Sequence, residues 1–305
     1  MNNQQQEQTD VVMALSTLEA MCRQEATSYK CEDYLHRHMQ PPSSQEDERL
    51  LQQDIQTCVN NRAKMSQWCM TLMDTCQLNR ETVSIAMSNF DRFLATREGA
   101  EICIDDSSTF QLACMTSLYS AIKIHEEKAI SSETLAYIPR GFYSSQDMED
   151  MELTMLKALQ WRVNAPTPLA FCREFLRLVP HHQMDAGTQE QVLSLAKIQT
   201  ELAVGDYRFV TVNASSIAYA ALSNAVEVLG LKMPANLDYA MGMIDRKQVS
   251  AIQSLLYAAV LTLQQPMFQN HQQQSLSKPF KEESLPVKRR QSFTISPRTV
   301  CGQAA

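Results

Sequence analysis

The sequence predicts an all-α fold, and three observations carry that prediction. Glycine makes up 7 of 305 residues, about 2% against a typical ~7%. Between positions 43 and 138 there is one glycine, Gly99, and no proline. That stretch therefore lacks the residues that tight sheet turns draw on. Apolar residues recur there at spacings of three and four, as on one face of a helix. The same shortage argues against phosphate-cradling loops: the closest glycines, Gly230 and Gly242, are too far apart for a GxGxxG or GxxxxGK pattern.

The elements follow in order. Residues 1–10 are Gln-rich and read as a disordered lead. Val11, Leu15, Leu18 and Cys22 then predict a helix running on toward Leu35 and Met39, stopped by Pro41-Pro42. A series of amphipathic helices fills 48–160. Val83, Met87, Phe90 and Leu94 mark one of them. The pattern Ser108-x-x-Gln111 opens the next, which carries Leu112, Met115, Leu118 and Ile122. Another covers 145–160 and ends at Trp161. Pro166 and Pro168 set a boundary, after which a second series begins with TPLAFCREFLRLV. It continues with a helix opened by Thr188-x-x-Gln191 and lined by Val192, Leu195, Ile198 and Leu202, and then with SSIAYAALSNAVEVL. The small Ala and Ser side chains of that last segment suit a central buried helix. A final helix is expected near 246–264, and the polar residues from 266 on read as a disordered tail. The division is thus 1–47, 48–165, 166–265 and 266–305.

Composition limits the function. Hydrophobic residues are 44% and charged residues 20%, ordinary globular usage. From 269 on there are six Lys/Arg and two Glu, net +4, so the other 268 residues hold −11 of the overall −7. An acidic body suits phosphate backbone poorly. The nine cysteines form no CxxC pair, and no His stands at zinc-ligand spacing from them. Cys69, Cys114 and Cys172 lie in apolar stretches as small core residues, so reduced, intracellular thiols are expected. MNNQQQEQTD is unlike a signal peptide, and no apolar run approaches the ~20 residues of a membrane span, which predicts a soluble chain.

Four segments narrow the class: NRAKMSQWCMTL, SNFDRFLA, FQLACMTSLYSAIKIHEE and MEDMELTMLKALQWRVNAPTPLAFCREFL. In this order they resemble the cyclin box, the helical repeat with which cyclins hold and activate a cyclin-dependent kinase. The resemblance covers roughly 50–265, with TELAVGDYRFV in a second repeat, and is nearest to D-type cyclins and the diatom cyclin group. It implies two tandem cyclin folds behind an N-terminal helix. It gives Arg62, Asp91 and Leu112 structural places, Arg62 pairing with Asp91. It also implies that Lys123 and Glu152 bind main-chain groups beside the kinase's αC helix, with Ile124, Leu153, Leu156 and Trp161 as the apolar surround.

The substrate-docking groove of many cyclins aligns here with Asn61, Lys64, Met65, Trp68 and Thr71, next to Gln111. Lys64 adds a positive charge and Thr71 removes a negative one, so weak or altered docking through Met65, Trp68 and Gln111 is expected, Trp68 reading more readily as a core anchor than as a docking residue. The LxCxE motif is missing, and no destruction-box signal precedes the box. The tail holds LPVKRR at 285–290, a short basic import signal implying nucleus and cytoplasm, with Ser292 and Ser296 as phosphorylation candidates. The implied role is a regulatory subunit acting at G1 or G1/S. Its partners are a cyclin-dependent kinase and that kinase's substrates or inhibitors, with no direct nucleic acid and no membrane. No catalytic residue, cofactor or metal is expected. A nucleic-acid-binding tandem cyclin fold would want a basic face and often a zinc ribbon. A helical adaptor would not need Lys123 and Glu152. An enzyme finds no support, His181-His182 standing in a loop with no nucleophile or metal set nearby.

Overall fold

The computed structural model describes residues 3–38, 44–104, 106–138, 142–240, 242, 244 and 246–274. These residues contain helices and no strand. The first group comprises α1 (Asn3–Ala26), α2 (Tyr34–His38), α3 (Gln45–Cys76), α4 (Glu81–Leu94), α5 (Arg97–Cys103), α6 (Ser107–His125), α7 (Ser132–Tyr137) and α8 (Ser145–Ala158). The second comprises α9 (Pro168–Arg177), α10 (Ala186–Gly205), α11 (Ala214–Val228), α12 (Ala235–Ala240) and α13 (Arg246–Gln274), with a 3-10 turn at Tyr207–Phe209. Two cores result. Met65, Phe90, Phe93, Leu94, Met115, Leu118 and Met148 fill the first, and Phe171, Phe175, Val192, Leu222, Leu237 and Leu256 fill the second.

Local signals start these helices where hydroxyl or carboxylate side chains can take up free N–H groups. Ser44, Thr96, Ser131 and Thr167 cap α3, α5, α7 and α9. A reciprocal capping box forms at Ser144 and Asp147, at the start of α8. The two boxes expected at Ser108 and Thr188 do not form. Asp106 caps α6 by accepting from the Ser108 N–H, and Asp185 caps α10 by accepting from Gly187 and Thr188. Aspartate is as good a cap as serine, and each of these stands ahead of the hydroxyl residue. The expected stripe on α10 is also rotated. Ile198 is exposed, and Val192, Ala196, Gln199, Thr200 and Ala203 face inward. Small and amide side chains there allow close contact with the Ala-rich α11, buried from Ser215 to Val226 as expected.

Both chain ends depart from expectation. Residues 3–10, expected in a disordered lead, are helical, α1 beginning at Asn3. At the other end α13 passes the expected boundary at 266 and reaches Gln274. Glutamine has nearly the helix propensity of alanine, so a polar, Gln-rich stretch can stay helical in water. The tail from 275 lies outside the described residues.

The N-terminal helix does not continue to Met39 either. It stops at Ala26, where the Thr27 and Tyr29 N–H groups both turn back to the Gln24 carbonyl. The break lets the chain change partners. Ala14 and Leu18 of α1 are buried in the second core, while Tyr34 and Leu35 are buried in the first. At the turn, the buried Glu25 carboxylate accepts the Ser215 N–H (3.0 Å) and the Ser215 hydroxyl. Burial pushes the Glu25 carboxyl above the ordinary glutamate range, the Ser215 bonds pulling part of the way back. The folded chain therefore holds this proton more tightly than the unfolded chain. Stability from Glu25 is present in full below about pH 4.5 and is lost as pH rises through the raised value. Glu25→Gln removes that slope. Its denaturant midpoint, relative to the parent chain's, climbs between pH 4.5 and neutral pH.

Candidate functional site

α6 packs between α4 and α8, and its last turn brings Lys123 to the surface beside α8. There the Lys123 Nζ lies 3.0 and 2.9 Å from the two carboxylate oxygens of Glu152. The Lys123 side chain is 45% exposed and that of Glu152 13%. Ser120 donates to the same carboxylate at 2.7 Å, and the Tyr119 ring centroid lies 5.0 Å from Nζ. Burial works against the charge on Lys123, but Glu152 outweighs it and holds the ammonium above the ordinary lysine range. Lys123 is thus charged at neutral pH, and the pair is aimed and partly unsheltered. Ile124 and Leu153 beside them are exposed, and Leu156 is half-buried. Trp161, just past α8, is 66% exposed. The structure thus joins Lys123 at the end of α6 to Glu152 in the middle of α8, with Ile124 next on α6, Leu153 and Leu156 on α8, and Trp161 on the turn that follows.

Arg62 and Asp91 meet as a bidentate pair inside the first repeat. Arg62 Nε and Nη2 donate to the Asp91 oxygens at 2.8 and 2.7 Å. The Tyr34 hydroxyl adds a third donor at 3.1 Å, and Arg62 Nη1 reaches the Val204 carbonyl at 2.9 Å. Burial penalises the guanidinium, yet Asp91 keeps it above the ordinary arginine value. Leu112 packs, half-buried, against the same core.

Met65, Trp68 and Gln111 are buried, Trp68 at 5% exposure. Their sides of α3 and α6 supply the first core, so they do not line an open groove. The Tyr143 hydroxyl donates to Gln111 Oε1 at 3.1 Å, while Gln111 Nε2 has no partner. Ser292, Ser296 and the basic run 288–290 lie outside the described residues.

Sequence reasoning missed Tyr119 and Ser120. They stand four and three residues before Lys123, the spacing at which helical neighbours touch, so the signal was available. It also missed Tyr34, whose contact with Asp91 spans 57 positions and leaves no local mark. Among the described residues no group of His, Cys, Asp and Glu is arranged to hold a metal ion, and no helix is long and apolar enough to cross a membrane. Eight cysteines are free among the described residues, and Cys69, Cys114 and Cys172 are buried. His181 and His182 are exposed.

The structure is thus two tandem groups of helices, the first with a charged pair and apolar neighbours at its surface. Residues 21–164 match the family model for the cyclin N-terminal domain, and 166–288 match that for the cyclin C-terminal domain. The chain belongs to the cyclin family. It is 28% identical to human cyclin-O over 60% of this chain and 51% of that protein. It is 31% identical to chicken G2/mitotic-specific cyclin-B2 over 55% of this chain and 39% of that one. It is 27% identical to zebrafish G1/S-specific cyclin-E1 over 43% and 31%. The matches span about half or less of these relatives' lengths, and three cyclin types at 27–31% identity do not separate a subgroup. The fold is shared with a viral cyclin from herpesvirus saimiri, with a TM-score of 0.52 at 17% identity over 66% of this chain and 86% of that one.

Proposed function

We propose that the chain is the regulatory subunit of a cyclin-dependent protein kinase, which it binds and activates at G1 or G1/S without chemistry of its own. The observation that carries this reading is the Lys123–Glu152 pair, held ready on the edge of the first repeat with Ile124, Leu153, Leu156 and Trp161 around it. A kinase is active only when its αC glutamate and β3 lysine are paired. A subunit that binds the paired state shifts the equilibrium by its differential affinity for the two states. Lys123 and Glu152 offer charge-assisted bonds to main-chain groups flanking that helix, and the apolar surround supplies the contact area. Each gives up part of its bond to the other on binding, so the pair stores orientation in the free protein.

In this reading the kinase's substrates or inhibitors are further partners, and the protein works in nucleus and cytoplasm. Lys288, Arg289 and Arg290 act in import, which phosphorylation at Ser292 or Ser296 opposes by adding about −2 charges each.

The Lys123→Ala/Glu152→Ala variant keeps its helical circular dichroism and loses at least tenfold in capture of kinase from dividing cells and in activation of that kinase. Equal capture by the variant and the parent chain would sink the assignment.

A further inference from the structure

The turn that carries Trp161 is strained. Gln160 and Trp161 have φ values of 53° and 61°, consecutive left-handed conformations in residues other than glycine. Such conformations persist where the surroundings over-determine them. Part of the hold is local. The Gln160, Trp161 and Arg162 N–H groups donate to the Lys157, Leu156 and Leu159 carbonyls at 3.0, 2.8 and 3.1 Å. The rest comes from α4, about seventy residues earlier. Arg92 Nη2 donates to the Arg162 carbonyl and to Asn89 Oδ1, and Asn89 Nδ2 donates to the Val163 carbonyl at 3.0 Å. The two carbonyls directly after Trp161 are thus each tied to a buried side chain of α4.

Arg92 is unusual. It is 6% exposed, its hydrogen-bond acceptors on the turn and on α4 are neutral, and its buried Nε has no partner. Burial accordingly lowers its pKa to about 10. The Tyr29 ring lies against the guanidinium, 4.8 Å from its carbon, and Tyr29 belongs to the crossing between α1 and α2. A long cation kept inside at this cost has a specific task.

We propose that Asn89 and Arg92, with Tyr29 stacked on the guanidinium, are positioning residues that hold the Gln160–Trp161 turn and so fix where Trp161 stands for a partner protein. The partner half rests on the kinase-binding reading above. The turn half stands without it, and the test keeps them apart.

The first arm is amide hydrogen exchange on the full chain alone. In Arg92→Gln, protection of the Gln160, Trp161 and Arg162 amides falls tenfold or more, while core amides of α6 and α11 keep theirs. Tyr29→Phe, which retains the ring, leaves the turn protected, whereas Tyr29→Leu does not. Unchanged protection at the turn overturns the proposal, as does an equal loss in every helix. If Arg92→Gln does not fold, Asn89→Ala decides in its place, since it leaves the guanidinium on the Arg162 carbonyl while releasing the Val163 carbonyl and removing the Asn89 Oδ1 acceptor.

The second arm is affinity for the captured kinase. Arg92→Gln weakens it about tenfold, and that loss disappears in a Trp161→Ala background, because residues acting through one side chain are not additive. Additive losses overturn the partner half. Absence of any kinase binding by the parent chain removes the functional reading and leaves the exchange arm to decide the turn.

Discussion

Asp91→Ala lowers unfolding stability by about 3–5 kcal/mol, the usual effect of removing one partner of a buried ion pair. The Arg62 and Asp91 side chains are 4% and 6% exposed, so water cannot replace the lost carboxylate. Arg62 is left with the Val204 carbonyl, and Tyr34 loses the acceptor for its hydroxyl. Asp91→Asn keeps the shape but not the charge, and it also leaves the guanidinium uncompensated. The Arg62→Met/Asp91→Leu pair loses less than Asp91→Ala, because two well-packed apolar residues carry no stranded charge. What it still loses, about 1–3 kcal/mol, is the orphaned Tyr34 and Val204 groups. Denaturant midpoints at neutral pH rank the variants, and a cost below about 1 kcal/mol for Asp91→Ala would contradict a sealed pair.

Gly99→Ala costs about 3 kcal/mol, the upper end for overpacking. A Cβ at Gly99 would stand 2.1 Å from the Phe93 carbonyl oxygen and 2.7 Å from its carbon. Both belong to backbone at the end of α4, so no side-chain rotation relieves the clash. Gly230 gives the contrast. Its φ is +66° with nothing within 4 Å of the added carbon, so Gly230→Ala costs only the left-handed conformation, about 1 kcal/mol. Thermal melting separates the two. The first also loosens α5 from α6 and α8, which carry Lys123 and Glu152.

Local patterns were legible in the sequence. The faces of α4 and α6, the Thr167 start of α9 and the burial of α11 follow from spacing and capping, which depend on residues within a turn or two. The Lys123–Glu152 edge was legible through resemblance to a family, since the two residues are 29 positions apart. What escaped was decided by distant partners. Met65 carries the same apolar signal whether it lines a groove or fills a core, and only the arrangement of α3, α4 and α6 distinguishes these. The break after Ala26 has no proline or glycine to announce it; it exists because Glu25 and Tyr34 are claimed by different repeats. Nothing near Arg92 in the sequence marks it as buried, and its burial depends on the Arg162 carbonyl seventy residues later.

The crossing of the first 35 residues bears on how the molecule is made. Glu25 and Ser215 are 190 positions apart, and Asp33 and Tyr207 are 174 apart. α1 thus leaves the ribosome long before the surfaces it packs on, with Ala14 and Leu18 uncovered until α9 exists. Long-range closure of this kind is slow and leaves apolar surface exposed during synthesis. A fragment ending at the linker between the repeats would contain Lys123, Glu152 and Trp161 and still carry α1 with Ala14 and Leu18 unsheltered. Removing residues 1–24 from such a fragment improves its solubility, whereas the same removal from the full chain opens the second core.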